Sequence, residues 1–501
     1  MADRRAAPRR RTATGKRGTR TVGRAAPDLS PQEFRALLSR AADIAVGHWE
    51  RLPEMRAYTR PPDDLVATLR AEPLPRTARP AADILDRIAR EVVPYPLGVG
   101  QRRWWGFINS PAHPLGIAAD LIATTLKNNC AGTSQLAVHV ELAVMAWLAE
   151  LLGLPAGTGG LLVSGGSMAN FVALAAAREA KLPGTRRRGL RATARPPVVY
   201  ASTEAHACVR RAVELLGLGT DALRLVPVDA EYRLEVAALE RMLAADRSAG
   251  LEPLCVVASA GTVNTGVVDP IAAIGAVARH HGCWFHVDGA YGAVGAALPE
   301  LAARYAGIDQ ADSVALDPHK WLYAPYEAGA TLVRDPATLR AMFAMRPEYL
   351  TLEEDSYLEG QVWFSDLGPQ LTREFRALAV WAVMQAVGLE RYRALWRNDI
   401  AVAREIAALA QQHPRLEVPA RSDLSCFCLR YRPRAGDANA FNRRLLDRIH
   451  RDGRMFVSGT VLDGRFALRG CVTNFRSTLA DAAICIETII ELAEQLEQEG
   501  A

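Results

Sequence analysis

The chain has 501 residues, half of them apolar, and a formal net charge of +5 at pH 7. This length suits two or three domains of about 100–200 residues each, with enough core for a large α/β domain. No run of about 18 apolar residues occurs, so a membrane-spanning helix is not expected. The eight cysteines lie mostly in apolar runs without the paired spacing of zinc ligands. We therefore predict no metal site and a reducing, cytoplasmic location.

The first 27 residues differ in kind from the rest of the chain. They hold nine of the 60 Lys and Arg residues and only Asp3 of the 55 acids, which leaves 51 basic and 54 acidic residues elsewhere. Such a segment, otherwise rich in Ala, Thr, Gly and Pro, is predicted to be a disordered basic tail over residues 1–27. No apolar segment follows the arginines, so no export signal is expected. A solvated extension is a commoner role for such a tail than nucleic-acid binding, and we expect neither a nucleic-acid nor a membrane partner.

A helical segment follows the tail. Ser30-Pro31-Gln32-Glu33 has the pattern of a capping box with proline at the first helical position, and an amphipathic segment continues to about Leu52. We predict that residues 28–95 form a helical arm.

Apolar runs alternate with helical patterns from Leu161 to Val333. This alternation predicts a parallel, doubly wound sheet covered by helices on both faces. We place it in a large domain over residues 96–387, which ends after the helical segment Phe375 to Val387. A small C-terminal domain is predicted over residues 388–501. There, Cys426 and Cys428 are interpreted as core thiols that face opposite sides of a strand.

A lysine and an aspartate follow two of the apolar runs. Lys320 comes shortly after the run 313–316, and Asp288 ends the run 284–288. Because the carboxyl ends of parallel strands meet at one edge of a sheet, we expect the two side chains to lie close together. Pyridoxal phosphate binds as an imine of a lysine and needs a carboxylate against its ring nitrogen. The pair predicts this cofactor, with burial or a neighbouring cation lowering the pKa of Lys320 so that its amine can react.

Three further segments strengthen this prediction. Gly165-Gly166-Ser167 follows an apolar run and opens a helical pattern, where backbone N–H groups and the Ser167 hydroxyl could hold a phosphate. His206 is expected in the first turn of a helix, with its ring against the cofactor. Small residues up to Thr262 allow the backbone to approach a flat ligand. Each feature alone has an ordinary explanation, such as a solvated lysine, a helix-capping aspartate or a glycine loop.

As a set, these residues resemble a known family. Gly-Gly-Ser-x-Ala-Asn at 165–170, Ala-His at 205–206, Gly-Thr at 261–262, His-Val-Asp-x-Ala-Tyr at 286–291 and Asp-Pro-His-Lys-Trp at 317–321 occur in this order. Their order and spacing are similar to those of the group II pyridoxal-phosphate-dependent amino-acid decarboxylases, the family of aromatic-L-amino-acid decarboxylase. The resemblance spans roughly residues 30 to 490.

The resemblance implies a fold and a set of roles. The fold is the aspartate-aminotransferase-like type I fold of PLP-dependent transferases, with a mostly parallel seven-stranded sheet, an N-terminal helical arm and a small α+β domain. The arm wraps a second subunit, so that a homodimer carries its active sites at the interface. The implied catalytic residues are Lys320, His206, Tyr349 and Asp288. The implied cofactor-binding residues are Gly166, Ser167, His206, Thr262, Asp288, Ala290, His319 and Lys320.

The resemblance leaves the substrate open. Trp105, Phe107 and Ile108 lie where the family has a substrate wall, and Arg373 matches an arginine near the substrate pocket; core packing or surface exposure explains these residues about as well. Asp317 replaces the asparagine common in animal members and adds a negative charge near the phosphate. We expect decarboxylation of an L-amino acid, with aromatic substrates favoured. An aldehyde synthase or aminotransferase of the same fold, or a non-catalytic scaffold with a basic tail, remains an alternative.

Overall fold

The computed structural model describes residues 29–345, 356–360 and 362–500. The basic tail lies outside the described residues. In chain order, the helices are α1 (Pro31–Arg51), α2 (Asp63–Ala71), α3 (Ala81–Glu91), α4 (Pro114–Leu126), α5 (Leu136–Leu151), α6 (Gly166–Lys181), α7 (Thr185–Arg188), α8 (Ala207–Leu215), α9 (Val236–Ser248), α10 (Ile271–His280), α11 (Ala337–Phe343), α12 (Arg376–Val387), α13 (Leu389–Gln412), α14 (Ala438–Asp452) and α15 (Ala480–Gln498).

The first three helices form the N-terminal arm. The predicted capping box is present, with the Ser30 hydroxyl accepting from the Glu33 backbone N–H and the Glu33 carboxylate accepting from the Ser30 N–H. No residue of α1, α2 or α3 is buried in the single chain. These three helices therefore contribute little to the core of the single chain.

A seven-stranded sheet forms the centre of the molecule. Its strands are β1 (Gly159–Val163), β2 (Pro197–Ser202), β3 (Leu223–Val226), β4 (Glu252–Ser259), β5 (Trp284–Asp288), β6 (Ser313–Leu316) and β7 (Gly329–Val333), in the spatial order β1-β7-β6-β5-β4-β2-β3. The sheet is parallel except for β7, which runs antiparallel to both neighbours. The connection 317–328 between β6 and β7 contains no helix to carry the chain back for parallel pairing. The predicted mostly parallel sheet is confirmed.

Helices cover both faces of this sheet, as the sequence predicts. Successive strand residues point to opposite faces, so Leu161 and Val163 pack on one side while Leu162 packs on the other. Helices α6, α8 and α11 bury their apolar residues on the first side, and α5, α9, α10 and α12 on the second. Both faces are dry, which explains the nearly continuous apolar character of the strands.

A second, antiparallel sheet occupies the C-terminal part. It comprises β8 (Leu416–Glu417), β9 (Cys426–Tyr431), β10 (Ser458–Leu462) and β11 (Arg465–Cys471), in the order β10-β11-β9-β8. Helices α13, α14 and α15 pack on it around a separate core. This is the expected small α+β layer, although the exact domain boundaries stay a prediction.

The interpretation of Cys426 and Cys428 is wrong in one respect. Residues two apart on a strand share a face, and the intervening Phe427 alone joins the core of the small layer. Cys426 belongs to the central core, and the Cys428 thiol contacts the Asn264 carbonyl. All eight cysteines are buried and free. Among the described helices, none is long and apolar enough to cross a membrane.

Candidate active site

A cavity of about 580 Å³ opens at the carboxyl ends of the parallel strands, a size typical of small-molecule sites. The residues that follow β1, β2, β4, β5 and β6 line one side. The small sheet closes the opposite side with Ser458, Gly459 and Arg469. Open α/β sheets commonly bind ligands at this edge because the loops after the strands converge there.

Lys320 lies in this cavity, in the turn that follows β6. A hydrogen bond from its backbone N–H to the Asp317 carbonyl, 2.9 Å long, closes the turn, and its Nζ lies 2.8 Å from Oδ2 of Asp317. Burial alone would lower the pKa of the amine. The negative charge of Asp317, with a smaller contribution from Asp288, outweighs burial and raises the pKa above its usual value. The expectation of a lowered pKa is therefore wrong for the protein without its cofactor.

Asp288 ends β5 beside β6, where it pairs in register with Ala315. The carboxylate is 8% exposed and lines the cavity. Oδ1 accepts a hydrogen bond from the Ala290 backbone N–H at 3.2 Å, and Oδ2 lies 3.7 Å from Sγ of Cys208. These contacts hold the Asp288 side chain in the same cavity as Lys320. The two side chains therefore meet at the carboxyl ends of β5 and β6, as predicted from the sequence.

His206 is the N-cap residue of α8. The sequence had predicted a position within the first turn of the helix, one or more residues further along. Its Nδ1 accepts a hydrogen bond from the Cys208 backbone N–H at 3.2 Å. Burial lowers the pKa of the imidazole, so the neutral form is favoured. With Nδ1 accepting, the ring proton is on Nε2, and His206 can donate one hydrogen bond into the cavity.

The turn before α6 forms one end of the cavity. Gly166 and Ser167 begin that helix, and no side chain among the described residues caps it. A Cβ atom on Gly166 would lie 2.7 Å from Asp317 Oδ2 and 2.9 Å from Cβ of Ala290, so only glycine fits. His319 lines the same end, where its Nδ1 accepts from the Ala328 N–H at 3.2 Å. Burial lowers the pKa of His319.

These residues fit pyridoxal phosphate by their chemistry. An uncapped helix N-terminus with a close-packed glycine suits a phosphate. A partly buried lysine suits the aldehyde, and a buried carboxylate with one oxygen facing a backbone N–H suits a protonated ring nitrogen. Thr262 and Ala290 line the wall between these ends. The Thr262 hydroxyl is hydrogen bonded to that of Thr265 at 2.8 Å, which holds it in place.

The sequence did not predict a buried polar network that connects α6 with β5 and β6. The Asn170 amide donates to the Gly166 carbonyl at 2.8 Å and accepts from Nε2 of His286 at 2.8 Å, while Nδ1 of His286 contacts the Ser313 hydroxyl at 2.8 Å. Burial lowers the pKa of His286 to about 4, so the ring is neutral. The network ties the glycine turn to β5 and β6. The sequence offered a hint of this network, since Asn170 and His286 both belong to the motifs at 165–170 and 286–291.

Two of the expected substrate residues lie elsewhere. The Trp105 indole is fully buried in the core of the small layer, where Nε1 donates to the Ser477 hydroxyl at 3.0 Å. Arg373 is 2% exposed and forms an ion pair with Glu141, with N–O distances of 2.5 and 3.1 Å. It also donates to the Cys130 and Leu162 carbonyls. Both expectations are corrected, because neither side chain lines the cavity.

Phe107 and Ile108 do line the cavity, with Phe107 52% exposed and Ile108 8% exposed. Arg469 of β11, which was not assigned to the site from the sequence, lies beside them. Its guanidinium contacts the carbonyls of Phe107 and Val263, and Nη2 lies 3.2 Å from Sγ of Cys426. Tyr349 lies outside the described residues.

Comparisons with known proteins identify the family. The sequence matches the pyridoxal-dependent decarboxylase conserved domain over residues 62–432. The chain belongs to the pyridoxal-dependent decarboxylase family. This decarboxylase is 31% identical to an aromatic-L-amino-acid decarboxylase of Bacillus atrophaeus over 476 residues, 93% of this chain and 97% of that one. It is 32% identical to a phenylacetaldehyde synthase of Arabidopsis thaliana over 348 residues, 67% of this chain and 70% of that one.

A solved structure extends the likeness to the fold. Oryza sativa TDC, solved with PLP and tryptamine, is 29% identical with a TM-score of 0.86, covering 93% of this chain and 99% of that one. The protein is thus a pyridoxal-phosphate-dependent carboxy-lyase of the type I fold. The alternative of a non-catalytic scaffold is set aside.

Proposed function

We propose that this decarboxylase removes the α-carboxyl group of an aromatic L-amino acid and releases the corresponding amine and carbon dioxide. The observation that carries the proposal is the cavity itself, in which Phe107 and Ile108 face the same space as Lys320, Asp288 and His206. An aromatic side chain gains from burial against such a wall. The similarity to an aromatic-L-amino-acid decarboxylase over nearly the whole chain supports the same substrate class.

Pyridoxal phosphate, when bound, supplies the electron sink for breaking a bond to the substrate Cα. Lys320 would hold its aldehyde and Asp288 its ring nitrogen. The phosphate would be held by Gly166, Ser167 and His319. The faces and edge of the ring would be contacted by Thr262, Ala290 and His206. The Asp288 carboxylate would favour a proton on that nitrogen by preorganised electrostatics.

The remaining side chains orient the substrate and move one proton. Arg469 is the cation on the opposite wall of the cavity and can attract a substrate carboxylate. His206 can donate from Nε2 to a carboxylate oxygen without carrying a full charge. After carbon dioxide leaves, Cα needs a proton, and Tyr349 or His206 is the candidate donor.

The substrate assignment is tested by measuring carbon dioxide release from each of the twenty amino acids. We expect turnover of tryptophan, tyrosine or phenylalanine by the parent protein. None is expected from Lys320→Ala, which should also lose the visible absorbance of the lysine-bound cofactor. Robust turnover of glutamate or aspartate, with none of any aromatic amino acid, would overturn the substrate class while leaving the family intact.

An aldehyde synthase is the second candidate, because the phenylacetaldehyde synthase of Arabidopsis is as similar in identity as the amine-forming relative. Tyr349→Phe keeps the ring and removes only the proton donor. General-acid catalysis is typically worth about 10²–10⁴ in rate, so amine formation should fall by that factor, and oxygen should divert product toward aldehyde, ammonia and peroxide.

The readout is the ratio of amine to aldehyde under air. Amine formation at the parent rate in Tyr349→Phe would make His206 the leading donor. Aldehyde as the main product of the parent would replace the decarboxylase proposal with the synthase.

The assembly and location follow from the same observations. We propose a homodimer with the active site at the interface, since none of the three arm helices has a buried residue within one chain. On the amphipathic α3, the apolar residues Ile84 and Ile88 are left 46% and 39% exposed. Eight buried, free cysteines support a reducing cytoplasm.

A further inference from the structure

Asp317 is a buried carboxylate to which the mechanism above gives no role. It is 3% exposed and directly follows β6. Its Oδ2 lies 2.8 Å from Nζ of Lys320 and 3.7 Å from Nε2 of His319. Its Oδ1 is buried without a hydrogen-bond partner among the described residues. Such a carboxylate is costly in a protein interior unless a cation or donor compensates it.

The carboxylate also lies against the turn that we assign to the phosphate. A Cβ atom on Gly166 would come within 2.7 Å of Asp317 Oδ2, so no side chain separates the two. A phosphate bound there would repel an ionised Asp317. The group that compensates the negative charge of Asp317 must therefore still do so when the cofactor phosphate binds beside it.

The charged and titratable groups around this point leave Lys320 as the compensating cation. Burial lowers the pKa values of His206 and His319, so both are favoured as neutral rings. Burial likewise raises the pKa of Tyr326. Asp288 and Cys208 also act electrostatically on Lys320, while Glu327 acts on His319 and Arg211 acts on His206.

We propose that Asp317 is the counter-ion and proton acceptor of Lys320 during cofactor loading: it holds the amine as an ammonium in the cofactor-free site and accepts the proton that blocks attack on the cofactor's aldehyde. The role rests on the proposed assignment of Lys320 as the cofactor lysine. It makes Asp317 a positioning residue for the loading step rather than for decarboxylation.

The chemistry of this step balances. A proton passes from Nζ of Lys320 to Oδ2 of Asp317, and the freed lone pair forms a C–N bond to the aldehyde carbon. The C–O bond then breaks, and the oxygen leaves as water with two of the three ammonium protons, one of them returned by Asp317. The products are the protonated imine and one water, and Asp317 ends as the carboxylate it was.

The unusual composition of the chain permits a direct test. Only four lysines occur, at positions 16, 127, 181 and 320, so trace acetylation with acetic anhydride can be read for each by mass spectrometry. The cofactor-free protein is labelled across a range of pH, with the exposed Lys181 as internal reference. In the parent, the pH midpoint for Lys320 should lie above that for Lys181, because Asp317 stabilises the ammonium.

Asp317→Asn removes the negative charge and leaves burial as the larger influence, so the midpoint for Lys320 should fall below that for Lys181. Labelling at about pH 7.5 should rise about tenfold for each pH unit by which the pKa falls. Asp317→Glu should retain a raised midpoint. Asp288→Asn should lower the midpoint less than Asp317→Asn does, since Asp317 is the larger influence on this amine.

An unchanged midpoint in folded Asp317→Asn, verified by circular dichroism, would overturn the role. If that variant does not fold, the parent alone decides, because a Lys320 midpoint at or below that of Lys181 contradicts the pairing. Borohydride trapping of pyridoxal phosphate in the parent, followed by peptide mapping, tests the Lys320 assignment separately. Trapping at another lysine would contradict the proposed function. Trapping at Lys320, together with an unchanged Lys320 midpoint in Asp317→Asn, would contradict only the role of Asp317.

Discussion

Buried residues with the same charge have different partners in this decarboxylase. Asp288 faces the cavity and has one oxygen on a backbone N–H, whereas Asp317 pairs with a lysine. Arg373 and Arg469 are both nearly buried, but the first contacts only protein groups and the second lines the cavity. Burial raises the energetic effect of each charge, so the identity of its partner decides its role.

Asp288→Asn tests the ring-nitrogen assignment. The amide keeps the shape and can still accept from the Ala290 N–H, but it cannot stabilise a protonated nitrogen. Removing one preorganised electrostatic partner typically costs about 10²–10³ in rate. We expect full cofactor content, measured after alkaline release, with turnover lower by that factor. Near-normal turnover at saturating cofactor would show that Asp288 has another role.

Arg373→Ala tests the corrected position of that arginine. The substitution leaves Glu141 buried without its cation, and breaking a buried pair typically costs about 3–5 kcal/mol. Urea unfolding should show a loss of that size. The matched control is Glu374→Ala at the adjacent, exposed position, which should change the free energy of unfolding little. A raised KM with unaltered stability in Arg373→Ala would instead restore the substrate-pocket role.

At the scale of elements, α13 fixes the loop that carries Lys320. Asp399 on this helix accepts hydrogen bonds from the Trp321 indole at 2.7 Å and the Tyr323 hydroxyl at 3.2 Å. The Trp396 indole donates to the Trp321 carbonyl at 2.9 Å. Burial raises the pKa of Asp399 to about 7, against the opposing influence of these donors. The element that positions the lysine is therefore held by a group that titrates near neutral pH.

Stability should depend on pH through Asp399. Because its folded pKa lies above the unfolded value, its contribution is fully present below the unfolded pKa and lost as pH rises through about 7. We expect the Asp399 contribution to be lost as pH rises from about 4 to about 7, so that over this range the Tm of the parent should fall relative to that of Asp399→Asn. Asp447→Asn, at an exposed position on α14, serves as control. An equal fall in Asp399→Asn and the parent would contradict the assignment.

At the scale of the whole molecule, apolar surface is concentrated on the N-terminal helices. On α4, Leu121, Ile122 and Leu126 are 49%, 55% and 55% exposed. Helices as short as α2 and α3, with 9 and 11 residues, are marginal in water without packing. A second copy of the chain would supply that packing, in line with the proposed homodimer.

Ile122→Asp should weaken this association, because a carboxylate would be buried in an apolar interface. Sedimentation velocity should show a dimer for the parent and a larger monomer fraction for the variant. Leu215→Asp places the same charge at a 68% exposed leucine on α8 and should leave the dimer intact. A parent that sediments as a monomer at all concentrations would rule out the homodimer.

The sequence by itself determined the alternation of strands and helices and the edge of the sheet at which Lys320 and Asp288 lie, because hydrophobic period is a local pattern and the carboxyl ends of parallel strands meet at one edge. The antiparallel β7, the Asn170 and His286 network and the burial of Trp105 were decided by tertiary structure. So were the partners of Arg373 and Lys320. In the case of Arg373, Glu141 lies 232 positions away in the sequence. Only the folded chain brings such groups within hydrogen-bond distance, and burial then sets how strongly each charge acts on its neighbour.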